Sequence, residues 1–203
     1  VKKGGAPRHG LKVFDTGGIY GPRAHVKLAP YYDAYGASRL QAIARAKQLA
    51  SVQAAGVAAM QLVINNRGVI HYTQSALRMS GVRGGLVPPK FGHFEDCSSE
   101  ATWIAFVMDQ AARKFGGRFP DPNNLGYNGQ GFTGTQVTHG RQVSAAAGPI
   151  CRTFCFYGNI SHVTVKKTMT RCMSMGSERG PLDENIWYRP VTTARVYPVI
   201  LPP

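Results

Sequence analysis

Acidic residues are scarce in this chain. Ten Asp and Glu stand against 24 Lys and Arg in 203 residues, which leaves a formal charge of +14. That balance predicts attraction to a polyanion: nucleic acid, an anionic membrane or an anionic cell wall. No dense run of Lys/Arg is present, however, and scattered basic residues make a diffuse field rather than a sequence-reading arm. No specific nucleic-acid partner is therefore expected. Cysteine is sparse too. Cys97, Cys151, Cys155 and Cys172 are too few and too unevenly spaced for a disulfide framework in a chain this long. Cys151 and Cys155 also lack the C-x-x-C spacing of a zinc site, so neither a metal nor another cofactor is expected. No run of about 18 apolar residues occurs, which excludes a membrane-spanning helix. No secretory signal is visible and the chain opens on Val1, so we expect a processed or excised piece that something else must deliver if it works outside a cell. Internal repeats are absent.

What is present suits one domain with an added arm. Hydrophobic residues make up 43%, enough for a sizeable core, while 24 Gly and 13 Pro predict many turns and long loops. Residues 1–36 read as a basic, Gly/Pro-rich N-terminal arm, with a short strand at 11–14, and residues 37–203 as the domain proper. Ser38 reads as a helix N-cap, followed by Leu40, Ile43, Ala46 and Ala50 at helical spacing. A second Ala-rich stretch, 54–64, ends at Asn65-Asn66-Arg67-Gly68, and the two stretches read as one helix interrupted near Gly56. Residues 69–74 are β-prone. Residues 80–94 read as a loop, and 119–147 as a long Gly- and Asn-rich segment that shapes a cleft wall and is dispensable for folding. Strand-like runs follow at 150–157, 160–166, 168–175, 186–189 and 194–200, with Gly158-Asn159 as a turn signal. The order is helix, second helix, antiparallel meander: an α+β layout.

The stretch that carries chemistry is Phe94-Glu95-Asp96-Cys97-Ser98-Ser99-Glu100. From Cys97, apolar or small residues recur at Ala101, Ile104, Ala105, Met108, Ala112 and Phe115, one buried helical face. Asp96 is a plausible N-cap. A Cys in the first turn meets unpaired N–H groups and the positive end of the helix dipole, which lower a thiol pKa. The nearby carboxylates act the other way, and residue order does not rank the two. By residue type alone, such a Cys is more often a buried core residue. Downstream, His162 and Thr164 share one face of a strand while Val163 and Val165 share the other. A His on that polar face can serve a Cys at a helix N-terminus, taking its proton and later protonating a leaving amine.

Asp96-Cys97-Ser98-Ser99, then Ser161-His162-Val163, then residues 176–181 in that order resemble the NlpC family of papain-like cell-wall cysteine peptidases, in particular the peptidase domains of endolysins from phages of actinobacteria. Residues 70–74 resemble the family segment that supplies a Tyr near the catalytic Cys. The resemblance covers about residues 40–200. It implies a papain-like α+β fold with helices on a small antiparallel sheet. It also implies hydrolysis of an amide in the peptide stem of peptidoglycan, commonly between D-glutamate and a diamino acid. Cys97 would be the nucleophile, His162 the base, and Tyr72 an oxyanion partner beside the Cys97 N–H. Tyr72 alone reads equally well as an ordinary strand aromatic. The implied partners are peptidoglycan and other virion or lysin domains. The implied setting is a phage-encoded protein made in the host cytoplasm, acting at the wall or carried in the virion. One position departs from the family. The polar residue that orients the His aligns with Met175, and methionine accepts no strong hydrogen bond. Ser174, Ser177, Glu178 and Asn159 are alternatives nearby in sequence. The departure leaves a second reading open: a virion structural or tail-tip protein with a degenerate, non-catalytic version of the fold.

Overall fold

In a computed structural model, residues 22–84, 94–176 and 180–202 are described, with residues 22–37, 84 and 94 described by backbone alone. The strand expected at 11–14, His93, and the candidate orienting residues Ser177 and Glu178 lie outside them. The chain divides at Lys47/Gln48, and residues 48–202 form one compact unit.

Helix α1 spans Pro22–Asn65. It starts well before Ser38, so Ser38 is a mid-helix residue and not the N-cap expected. The face expected from Leu40, Ile43, Ala46 and Ala50 stays at the surface. The buried stripe begins later, at Val52, and continues through Gly56, Ala59, Met60 and Val63. Gly56 does not interrupt the helix. It is the point of closest approach: a Cβ there would stand 2.9 Å from Met108 Sδ and 3.1 Å from Cys151 Cβ. The helix stops where expected, at Asn65, and turns follow.

Strand β1 (His71–Tyr72) pairs in parallel with β2 (Phe94–Glu95), Tyr72 opposite Glu95. Between them, the loop expected over 80–94 begins with a short helix, α2 (Ser80–Gly84), after a 3-10 turn at Ala76–Met79. β2 leads into α3 (Cys97–Arg113). The long segment after it contains α4 (Thr133–Gln136) and β3 (Arg141–Val143).

Five further strands follow: β4 (Thr153–Tyr157), β5 (His162–Lys166), β6 (Arg171–Gly176), β7 (Gly180–Asn185) and β8 (Val191–Val196). β4, β5 and β6 form where the runs at 150–157, 160–166 and 168–175 were expected, and β7 extends the meander by one unforeseen strand. β8 returns to the other side of β4 and pairs with β3, giving the six-stranded order β3-β8-β4-β5-β6-β7, antiparallel throughout. The strand expected at 186–189 does not form, and β7 occupies 180–185, which was not read as a strand. Residues 186–189 form the turn from β7 into β8.

Side-chain alternation gives the sheet two faces. Phe154, Phe156, Val163, Val165, Met173 and Met175 join the main core with Ala101, Ile104, Ala105 and Met108 of α3 and the buried stripe of α1. Cys155, Tyr157 and Ala194 form a smaller cluster with Tyr188 and Val191. The architecture is α+β, with helices on one face of an antiparallel sheet.

Candidate active site

Asp96 caps α3. Its Oδ1 accepts from the Ser99 N–H at 2.7 Å and from Ser98 Oγ at 2.8 Å, and Ser99 Oγ accepts in return from the Asp96 N–H at 2.8 Å. This reciprocal box fixes the first turn and hence the direction of Cys97. Arg78 of the 3-10 turn braces it, with Nη1 3.0 Å from Ser98 Oγ and 3.4 Å from Asp96 Oδ2, and Nη2 donating to the Gly131 carbonyl at 2.5 Å.

Cys97 is 7% exposed. Its sulfur lies 3.7 Å from Thr133 Oγ1 and is hydrogen-bonded by the backbones of Val163 and Ser98. Burial raises the thiol pKa, and the Asp96 charge adds to the rise. The hydrogen bonds from Val163, Thr133 and Ser98 oppose it without cancelling it. The lowering expected from the helix start is thus outweighed, because desolvation acts on the whole charge of the thiolate.

The Val163 contact places Cys97 against β5, one residue past His162. His162 is the first residue of the strand. There it stands opposite Tyr157, with ring centroids 6.0 Å apart, and its Nε2 is 3.0 Å from Ser174 Oγ. Ser174 Oγ is in turn 3.4 Å from the Tyr188 hydroxyl. Met175, the position aligned with the family's orienting residue, is fully buried in the main core and also borders the cavity that His162 lines. The residue that meets His162 is its neighbour, Ser174. Asn159 lies exposed in the β4–β5 turn.

Tyr72 and His162 line one cavity of about 510 Å³, together with Ser174, Glu184, Tyr188 and Arg189 among others. Cys97 is not one of its lining residues. Gln74 Nε2 donates to the Tyr72 hydroxyl at 2.8 Å. Burial raises the Tyr72 phenol, the Gln74 bond opposes it, and the charges of Cys97 and Asp96 raise it further, so Tyr72 feels the candidate nucleophile.

Residue order did not reveal Thr133, which approaches Cys97 from 36 positions away. The 119–147 segment that carries it, expected to be dispensable for folding, makes buried hydrogen bonds to α3 and to the sheet. Gln136, fully buried, donates to the Ser98 carbonyl at 2.8 Å and to Thr102 Oγ1 at 3.0 Å. Asn123 Nδ2 reaches Thr102 Oγ1 at 3.0 Å, and Tyr197 donates to the Gln136 carbonyl at 2.6 Å. The segment is stitched into α3 and the sheet by buried polar groups that would be orphaned without it.

Cys151, Cys155 and Cys172 are buried thiols, pushed up by burial to about 12, about 12 and about 11. Among the described residues no group of three or more His, Cys, Asp or Glu side chains could hold a metal ion, and no helix is long and apolar enough to cross a membrane.

No family model and no curated protein matches the sequence. Among solved structures, the peptidoglycan hydrolase RipB from Mycobacterium tuberculosis is similar at 18% identity with a TM-score of 0.38. The similarity covers 72% of this chain and 66% of RipB, so the chain spans just under two thirds of that protein's length.

Proposed function

We propose that the chain is a papain-like hydrolase that cleaves an amide in the peptide stem of peptidoglycan, with Cys97 as nucleophile and His162 as base. The observation that carries this reading is the convergence on one end of β5. The capped N-terminus of α3 sets Cys97 against the Val163 backbone, and the preceding residue, His162, is held by Ser174 at 3.0 Å. The tautomer in which Nε2–H donates to Ser174 leaves Nδ1 as the basic nitrogen, and in it Ser174 fills the orienting role that Met175 cannot. His162 takes the thiol proton and the sulfur adds to the amide carbonyl. Tyr72 and the Cys97 N–H face the developing oxyanion. The imidazolium then gives its proton to the leaving amine, and water hydrolyses the thioester with His162 again as base. The +14 charge suits an anionic wall. The phage-endolysin part of the reading, with action at the wall or carriage in a virion, rests on the motifs around Cys97 and His162.

A second reading, a virion structural or tail-tip protein with a silent site, draws on the 7% exposure and raised pKa of Cys97. One experiment separates the two. Purified peptidoglycan is digested with wild type and Cys97→Ala, and released peptides with new amino termini are read by mass spectrometry. Release by wild type alone supports the hydrolase. No release by wild type, or equal release by both, overturns it.

A further inference from the structure

We propose that Thr133 is a working part of the candidate site: its hydroxyl donates to the Cys97 sulfur and favours its ionised form, so the 119–147 segment supplies a group that acts on the nucleophile. This rests on Cys97 being the nucleophile of the proposed hydrolase. Thr133 Oγ1 and Cys97 Sγ are 3.7 Å apart, within hydrogen-bond range for sulfur, and both residues are 7% exposed. In the neutral pair either group can donate. Once the thiol ionises, sulfur has no proton and only the hydroxyl can donate, so the contact favours the charged form. A hydrogen bond to a charged group in a water-poor site is stronger than one between neutral groups.

The need for such a group follows from the rest of the surroundings. Asp96 at the N-cap places a negative charge beside the sulfur, and Arg78 braces that carboxylate from the 3-10 turn. Tyr72 from β1 adds a phenol, and His162 precedes the Val163 backbone contact on β5. Burial and Asp96 both oppose a thiolate. The groups that support it are the Val163 and Ser98 backbones and the Thr133 hydroxyl, and of these three only Thr133 is a side chain that substitution can remove.

Thr133 is also held for the task. Phe132 N–H donates to Thr135 Oγ1 at 2.9 Å, and Thr135 Oγ1 donates to Asn123 Oδ1 at 2.8 Å. Gln136 ties the other end of α4 to the Ser98 carbonyl, one residue from Cys97. The hydroxyl therefore reaches the sulfur from a braced turn and not from a free loop.

The test reads the thiol without any substrate. Alkylation of Cys97 by iodoacetamide is followed from pH 5 to 10 by mass spectrometry in wild type, Thr133→Val and Thr133→Ser. Thr133→Val should move the inflection up by about one pH unit, and so slow the reaction about tenfold below the inflection, while Thr133→Ser restores the wild-type profile. An unchanged inflection in Thr133→Val overturns the proposal, as does faster alkylation at every pH, which would mean that the residue only shields the sulfur. Circular dichroism checks folding, and Thr133→Ala serves the same comparison if the valine is not accommodated. Peptidoglycan digestion by wild type is scored separately. A chain that cleaves nothing yet shows the shift would sink the hydrolase reading and leave the hydroxyl–thiolate contact standing.

Discussion

Glu95 and Glu100 are 1% and 0% exposed, at the start of the helix that carries Cys97. The two carboxyls face each other, and a proton on one lets it hydrogen-bond the other. Burial pushes both carboxyls up. Glu95, also facing the Glu100 charge, lies well above the usual range, and Glu100 is raised from 4.5 to about 7. The sign of the consequence is fixed by linkage. The folded chain holds a proton on Glu100 that the unfolded chain releases near 4.5, so stability is present at low pH and is lost as pH rises from about 4.5 to about 7. A gap of that size corresponds to roughly 3 kcal/mol, which for a domain of this length is on the order of 6–12 °C in melting temperature. Thermal unfolding followed by circular dichroism between pH 4.5 and 8 measures it. Glu100→Gln keeps the shape of the protonated acid and cannot ionise. Its melting temperature should change less with pH than that of wild type, with the two curves separating as pH rises. Parallel curves, or a variant less stable than wild type at pH 8 by as much as at pH 4.5, would refute the argument that a buried Glu100 proton is being titrated.

Two other substitutions test single links. Lys166 is fully buried, and its Nζ donates to the carbonyls of Ala145, Ala146 and Gly148 at 2.8, 2.9 and 2.7 Å. Lys166→Met should strand the two of these on buried residues and lower stability by about 2–4 kcal/mol, read as the midpoint shift in urea unfolding; an unchanged midpoint would show that water replaces the ammonium. Asp96→Asn keeps a good N-cap while removing the charge that raises the Cys97 thiol. Its alkylation inflection should therefore move to lower pH, opposite to Thr133→Val, with little change in melting temperature; an inflection that stays or rises would mean the carboxylate is not acting on the sulfur.

The parts of the fold that residue order revealed are those governed by local pattern. The apolar period from Ala101 to Ala112, the Asp96 cap and the Gly158-Asn159 turn all depend on neighbours within a few positions, and the structure forms α3 and the β4–β5 hairpin there. The misreadings share a cause. The periodic face at Leu40 and Ile43 is helical but remains exposed, because period reports conformation and not what lies opposite. Gly56 looked like a break because glycine disfavours helix, yet the close approach of Met108 and Cys151 gives it a packing role that no local propensity encodes. β3 and α4 were hidden in a polar segment whose burial depends on Gln136 and Asn123 reaching α3.

At the candidate site the same division separates Met175 from its neighbour Ser174. Alignment of a strand position transfers a residue number, but what a strand offers a neighbour is a face, and a step of one residue exchanges the faces. Met175 joins Met173, Val163 and Val165 in the core against the helices, and it also borders the cavity that His162 lines, where a thioether offers the imidazole no strong acceptor. Ser174 shares the face of Thr164, its register partner on β5, and so lies within reach of a histidine two residues farther along that strand. A hydroxyl there is a weaker acceptor than a carboxylate and carries no charge to stabilise an imidazolium. If this site forms a thiolate, the opposing charge must therefore be borne by the donors around the sulfur itself, on β5, α3 and the braced turn that presents Thr133, rather than by a third charged residue behind His162.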